Sequence, residues 1–369
     1  MKKIMTVVGA RPQIIKSAAI SRCIQNAYAT SLNEVVLHTG QHYSDQLSAL
    51  HYNQMGLRQP DVILSPTVHD SAVKRMADMT SKIADCISDH KPDIVLVYGD
   101  TDSTLAAALA ANMMGVKIAH VEAGLRSHRS DMPEERNRIL TDQVSDYLFA
   151  PTAQATRQLQ YELRDRQVTI VQSGDVMLDN ALYYKAHAQK PVELTALSEP
   201  FVLFTAHRAA TMDDRATFMQ MLACVEELLK HSNVVWPMHP RAHAQLERYL
   251  GADQAKEWLN QTHLFCIEPI GYLDTLWCLA HASLVCTDSG GLQKEAAFFG
   301  KPVLILRDET EWNELVENGI AVLIGTNSNL LKNASLQLSQ TDGSVITSLF
   351  GSGQAADIIC QTLIGKTAS

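Results

Sequence analysis

Three places carry acids that could move protons, two of them where an apolar run gives way to polar residues. DIVLVY runs into Gly99-Asp100-Thr101-Asp102-Ser103-Thr104, and VKIAHV runs into Glu122-Ala123-Gly124-Leu125-Arg126. Met132-Pro133 then introduces Glu134 and Glu135, with Arg138 one turn further on. Helix capping accounts for one residue of the first group but not for all of them. At the end of a buried strand, burial and neighbouring charge raise a carboxyl pKa towards that of a working base. The bland alternative for Glu122 is a buried salt bridge with Arg126. Pro133 followed by two acids is by itself an ordinary helix start.

A second group suits anions. Gly9-Ala10-Arg11-Pro12 follows the run IMTVV and presents an Arg after a tight turn. FVLFTAH ends at His207-Arg208, and NVVWPMH ends at His239 with Arg241 beyond it, a pattern that fits an anion clamp. Thr287-Asp288-Ser289-Gly290-Gly291-Leu292-Gln293-Lys294-Glu295 turns from a strand through two glycines into a helix. Backbone N–H groups at such a helix start are a diphosphate cradle in outline, and Glu295 is placed to accept hydrogen bonds from ribose hydroxyls. Arg307-Asp308-Glu309-Thr310-Glu311-Trp312 adds polar groups at the same rim, with Trp312 either beside a sugar or in the core.

The elements that must hold these residues alternate. IMTVV, EVVLH, DIVLVY and VKIAHVE read as strands buried on both faces, interleaved with helical stripes such as Val73, Met76, Met79, Ile83 and Ile87. The same grammar resumes with FVLFTAH, NVVWPMH, HLFCIEP, SLVCTD and PVLILRD, after an apolar-poor stretch from Lys185 to Pro200. Alternating strand and helix predicts α/β architecture with parallel sheets, and 369 residues are too many for one ordinary core. Two doubly wound domains with a ligand cleft between them are expected.

Composition narrows the function. A net charge of -9 without any Lys/Arg-rich run argues against a nucleic-acid surface. The start of the chain is too short in apolar residues for a signal peptide or membrane span, so a cytoplasmic protein is expected, with no membrane partner. Seven cysteines without a CxxC pair read as buried free thiols, not as a metal cluster. A single glycine after the first strand is no GxGxxG fingerprint, which argues against a held NAD in this half. No cofactor and no metal are expected.

With these residues laid out, the chain resembles the non-hydrolysing UDP-N-acetylglucosamine 2-epimerase family along its whole length. The matching stretches include GARPQIIK, TGQHY, YGDTDSTLAAALAA, HVEAGLRS, MPEERNR, TDSGGLQKEA, GKPVLILRDETE and GSGQAADII. The resemblance implies a GT-B-like pair of Rossmann-like domains, residues 1–175 and 176–351, with a terminal helix in 352–369 packing back on the first, and a homodimer. It implies inversion at C2 of a UDP-N-acetylhexosamine by elimination of UDP to a 2-acetamidoglucal and re-addition, supplying surface polysaccharide. Position by position, Asp100, Glu122 and Glu134 look like the catalytic carboxylates. Arg11 and His207 look like diphosphate contacts, and Ser289, Gly290, Gly291 and Glu295 like the UDP cradle. Lys16, Arg138, Arg208, His239, Arg241 and Glu311 complete the candidate set. His207 is counted with the catalytic group.

Several positions depart from the commonest family pattern. Ala10 and Gln13 stand for a Thr and a Glu, Ala210 for a Glu, and Trp312-Asn313 for Arg-Pro. The DETEWNEL segment is similar to the branch acting on UDP-2,3-diacetamido-2,3-dideoxyglucuronic acid, which makes that sugar the competing substrate. A hydrolysing relative, a GT-B glycosyltransferase and a non-catalytic nucleotide-sugar sensor are the rival classes.

Overall fold

The computed structural model of the protein describes residues 1–41, 52, 54–65, 71–129, 131–197, 200–335, 338 and 342–366. His42 and Tyr43 of the TGQHY stretch lie outside them. The chain divides into two compact units, Met1–Tyr183 with Thr347–Ser369, and Tyr184–Ile346.

In the first unit, β1 (Lys2–Val8) is buried without interruption from Ile4 to Val8, as a strand must be when helices cover both faces of its sheet. It lies in a seven-stranded sheet with β2 (Leu32–His38), β3 (Val62–Ile63), β4 (Ile94–Tyr98), β5 (Lys117–Val121), β6 (Tyr147–Ala150) and β7 (Thr169–Gln172). The order is β3-β2-β1-β4-β5-β6-β7, and all pairs are parallel. Side chains alternate between two cores. Ile4, Val8, Leu96 and Tyr98 meet Ile14 and Ile20 and, from the final helix, Ile359 and Leu363. Met5, Val7, Val95 and Val97 meet Ile83, Ile87 and the alanines of the helix Asp102–Met113 on the opposite face. Each such aliphatic side chain contributes on the order of 1.5–3 kcal/mol when fully buried. The stripe expected on the helix Ala72–His90 begins later than its spacing suggested. Val73 sits in the first turn and is exposed, while Ile83 and Ile87 are buried.

The final helix, Ala355–Ile364, belongs to this unit. The Asp179 carboxylate accepts from Ala355 N and Ala356 N (3.1 and 2.8 Å), taking up two of the N–H groups that a helix start leaves without partners. Lys2 Nζ donates to Leu363 O at the other end.

The second unit has six parallel strands: β8 (Phe201–Thr205), β9 (Asn233–Pro237), β10 (Leu264–Ile267), β11 (Leu284–Thr287), β12 (Val303–Ile305) and β13 (Ala321–Leu323). Their order is β10-β9-β8-β11-β12-β13. Phe204 and Trp236 pack edge to face at 4.8 Å in its core, beside Phe218 and Leu246. The stretch from Lys185 to Pro200 holds two short 3-10 turns, Lys185–His187 and Val192–Leu194. All seven cysteines are free thiols; Cys224, Cys278, Cys286 and Cys360 are buried, and Cys23, Cys86 and Cys266 half-buried. Among the described residues, no helix is long and apolar enough to cross a membrane.

Candidate functional site

Each sheet reverses its strand order once, between β1 and β4 and between β8 and β11. Loops diverge at such a point and leave a crevice beyond the carboxyl ends of the strands. The candidate residues cluster at both reversals.

At the first, the chain leaves β1 through Gly9, where a Cβ would come within 2.1 Å of both Ser103 Oγ and Thr39 Oγ1, so only glycine fits. Gln13, in the first turn of the helix Arg11–Cys23, is buried and folds back over the exit of β1. Its Oε1 accepts from Gly9 N (2.8 Å) and Ala10 N (3.1 Å), and its Nε2 donates to Tyr98 O (3.0 Å) and Thr104 Oγ1 (2.9 Å). The amide is thus saturated, and it staples the exit of β1 to the exit of β4.

Beyond β4, Gly99 takes a left-handed backbone (φ 61°), and the half-buried Asp100 pairs with Arg138 Nη2. Arg138 Nη1 reaches Glu135 at 2.8 Å. Burial would raise the Glu135 carboxyl, but N–H donors from Ser127 and His128 and the Arg138 charge outweigh it and hold the pKa below its ordinary value. Asn137 donates to Asp100 O (3.0 Å) and Asp102 Oδ1 (3.1 Å). One helix, Pro133–Val144, therefore fixes both the backbone and the carboxylate of Asp100.

Beyond β5, Glu122 is left-handed as well (φ 69°), a conformation that costs a residue with a Cβ roughly 1–3 kcal/mol and persists only where its surroundings impose it. The N–H groups of Glu122 and Ala123 both reach Phe149 O at 3.1 Å. Glu122 Oε1 lies 2.7 Å from Lys16 Nζ. The salt bridge weighed for Glu122 thus exists with a different partner. Arg126 instead turns to Asp142 (2.8 Å) and Glu162. A Cβ on Gly99 would lie 3.1 Å from Lys16 Nζ and 3.8 Å from Glu122 Oε1, so the Glu122 pair abuts the residue preceding Asp100. Glu134 and Arg11 are exposed, each in the first turn of its helix.

At the second reversal the staple is Asp288. Its buried carboxylate accepts from His207 N and Arg208 N, each at 2.9 Å, joining the exit of β11 to that of β8. The His207 ring, its side chain 48% exposed, stands 3.4 Å from the same carboxylate. Thr287 Oγ1 accepts from Ser289 N (2.9 Å), and the Ser289 hydroxyl makes no cap bond to the helix Gly290–Phe298. A Cβ on Gly290 would fall 1.9 Å from Glu311 Oε1, whereas nothing lies within 4 Å of one on Gly291. Glu311 is steadied by Arg307 (2.9 Å), which also binds Glu309 (2.6 Å). A carboxylate thus lies where a helix start favours negative charge. Glu295 is buried within the helix.

His239 accepts from Arg241 N through Nδ1 (3.1 Å), capping the helix Pro240–Leu250, and its ring lies 6.5 Å from that of His207. Burial, then the His207 and Arg241 charges, lower its pKa, consistent with a neutral ring that accepts. Arg241 is itself paired at the surface with Asp213 (2.6 Å). Trp312 is buried under Lys294 Nζ, 4.5 Å from its ring centre, and serves the core.

Gln13, Asn137 and Asp288 escaped the sequence reading as site residues. Asp288 was open to discovery by the rule that flagged its neighbours, since it is the first charged residue after a buried strand. Nothing in the spacing of Gln13 announces a cross-strand amide.

Two parallel α/β units with acids at one reversal and a glycine-led helix at the other define a GT-B-like nucleotide-sugar fold. A family model described as UDP-N-acetylglucosamine 2-epimerase matches residues 25–364. The chain is 43% identical, over 98% of its length and 99% of the relative's, to a UDP-2,3-diacetamido-2,3-dideoxy-D-glucuronate 2-epimerase of Pseudomonas aeruginosa. The structure of the Methanocaldococcus jannaschii UDP-GlcNAc 2-epimerase in complex with UDP-GlcNAc and UDP matches with TM-score 0.86 at 32% identity, covering 98% of this chain and 99% of that one. That of the Neisseria meningitidis UDP-GlcNAc 2-epimerase bound to UDP-GlcNAc matches with TM-score 0.83 at 27% identity, covering 98% and 99%. The chain belongs to the UDP-N-acetylglucosamine 2-epimerase family and is an isomerase of that type.

Proposed function

We propose that this enzyme inverts C2 of a UDP-linked 2-acetamido sugar, and that its substrate is the 2,3-diacetamido-2,3-dideoxyglucuronate type. The observation that carries the reaction is the pair of ion-paired carboxylates, Asp100 with Arg138 and Glu122 with Lys16, on adjacent strand ends. The C2–H bond has no neighbouring carbonyl to acidify it, so its proton leaves only as the C1–O bond to UDP breaks. A carboxylate takes the C2 proton, the C–H electrons form the C1=C2 bond, and UDP departs with the C1–O electrons. UDP then adds back to C1 as an acid delivers a proton to the other face of C2. Asp100, Glu122 and Glu134 share these transfers; Glu134 lies one turn before Arg138 on the same helix.

The departing diphosphate needs N–H donors and cations. His207, Arg208, the Ser289-Gly290-Gly291 helix start and Arg11 serve it. Glu295 takes the ribose. The 43% identity to the Pseudomonas enzyme supports the uronate substrate over UDP-N-acetylglucosamine. The proposal extends to a homodimer acting in the cytoplasm, with light scattering as the test of assembly.

Incubation with each UDP-sugar in heavy water, followed by NMR, tests the reading. Deuterium at C2 of a sugar still joined to UDP, with both epimers present, is expected, and faster for the uronate. Free sugar would mean hydrolysis, and inertness with both sugars would refute the reaction.

A further inference from the structure

We propose that His120 and Asp142 form a positioning pair that holds the turn carrying Asp100 and the turn carrying Glu122 in fixed relation. The proposal rests on the 2-epimerase reading above.

His120 lies on β5, two residues before Glu122, and is fully buried. Its Nε2 is 2.8 Å from Gly99 O, the carbonyl immediately before Asp100, and its Nδ1 is 2.7 Å from Asp142 Oδ1. A peptide carbonyl and a carboxylate only accept, so the ring must donate from both nitrogens and carries positive charge against Asp142. The other Asp142 oxygen accepts from Gly124 N (3.1 Å), two residues past Glu122, and meets Arg126 Nη1 (2.8 Å). Arg126 in turn binds Glu162, the remaining charged member of the network.

A continuous path thus runs from Gly99 O through His120 and Asp142 to Gly124 N. It joins the two turns without touching either acid's carboxylate. The second turn needs outside support, because Glu122 has a left-handed backbone (φ 69°) that costs a residue with a Cβ. The bond to Gly99 O anchors the first turn and the bond to Gly124 N the second. Neither His120 nor Asp142 reaches the reacting carbon; they act through Asp100 and Glu122.

The test compares steady-state epimerisation by wild type, His120→Asn, Asp142→Asn, Glu122→Gln and the double variant His120→Asn/Glu122→Gln. Misplaced acids should lower kcat by about 10- to 100-fold with KM little changed. His120→Asn should cost the Glu122→Gln enzyme less than it costs the wild type, because only the Asp100 turn is then left to position. Wild-type turnover in both His120→Asn and Asp142→Asn would overturn the proposal, as would a double variant in which the two losses multiply. An inactive wild type would instead refute the epimerase reading. Ring nitrogen NMR of the wild-type protein examines the bridge without any substitution. Two protonated nitrogens on His120 at neutral pH are expected, and a single N–H would overturn the charged bridge even if the variants fail to fold.

Discussion

At the β1/β4 reversal the diverging turns are stapled by an uncharged amide, whereas at β8/β11 the same work falls to a carboxylate. Gln13 spends two acceptor and two donor positions on Gly9 N, Ala10 N, Tyr98 O and Thr104 Oγ1, and leaves no net charge behind. The Gln13 staple thus adds no like charge beneath Asp100 and Glu122, and each pairs with a cation, Asp100 sharing Arg138 with Glu135. Asp288 accepts from the His207 and Arg208 backbone and has the His207 ring 3.4 Å away, so a fixed anion lies beneath a cationic rim. The difference teaches how one topology serves two tasks. In the proposed function, proton transfer has acids at the strand ends over a floor whose staple is neutral, and anion binding has donors over a floor whose staple is charged.

The largest effect should come from separating those tasks. Glu122→Gln keeps the shape of the first reversal but removes a proton acceptor, and kcat should fall about 10²–10⁴-fold. Calorimetric UDP affinity should stay at the wild-type value. A parallel loss of UDP affinity would break the division between the reversals. Asp288→Asn makes the opposite cut. An amide oxygen accepts less strongly than a carboxylate, and a buried donor left poorly satisfied costs roughly 1–3 kcal/mol. The urea midpoint should drop by that order and UDP should bind more weakly. Unchanged UDP binding would show that the His207–Arg208 turn needs no buried anion.

Much of this was legible in the residues. The uninterrupted apolar runs β1, β2, β4, β5, β8, β9, β10, β11 and β12 announced buried parallel strands, and the polar residues after four of them marked the reversals. The short strands β6, β7 and β13 were harder. Thr169–Gln172 has no fully buried position and Ala321–Leu323 has only three residues, so neither offers the long apolar run that names a strand. At the site, residue type and position picked out side chains at the reversals but not whom they hold. Glu122 had Arg126 four residues away in sequence, yet Lys16, more than a hundred residues distant, is its partner. Likewise Glu135 looked like the twin of Glu134, and helix phase alone turns one inward and the other out.

Gln13→Glu would sharpen the comparison by putting a carboxyl where a donor is required. Facing Tyr98 O, only the protonated acid can donate, so its folded pKa should rise above the ordinary value of about 4.3. Stability is then retained below that ordinary value and lost as pH climbs through the raised one. Urea unfolding should show a deficit that grows between acid and neutral pH, reaching roughly 1–3 kcal/mol. A cost that is the same at every pH would mean that the first floor tolerates charge, and the contrast with Asp288 would lose its meaning.

Arg241→Ala should have the smallest effect, and it marks where the cationic rim ends. Arg241 and Asp213 are 41% and 51% exposed, a setting in which an ion pair is worth about 0–1 kcal/mol. The helix it begins keeps its cap, because the acceptor there is His239 and the donor is a backbone N–H that alanine retains. Stability should therefore change by less than about 1 kcal/mol, and UDP affinity should barely move if Asp213 keeps this guanidinium. A tenfold loss of UDP affinity, about 1.4 kcal/mol, would instead require Arg241 to leave Asp213 for the diphosphate. The rim would then include a mobile surface cation as well as the donors tied to Asp288.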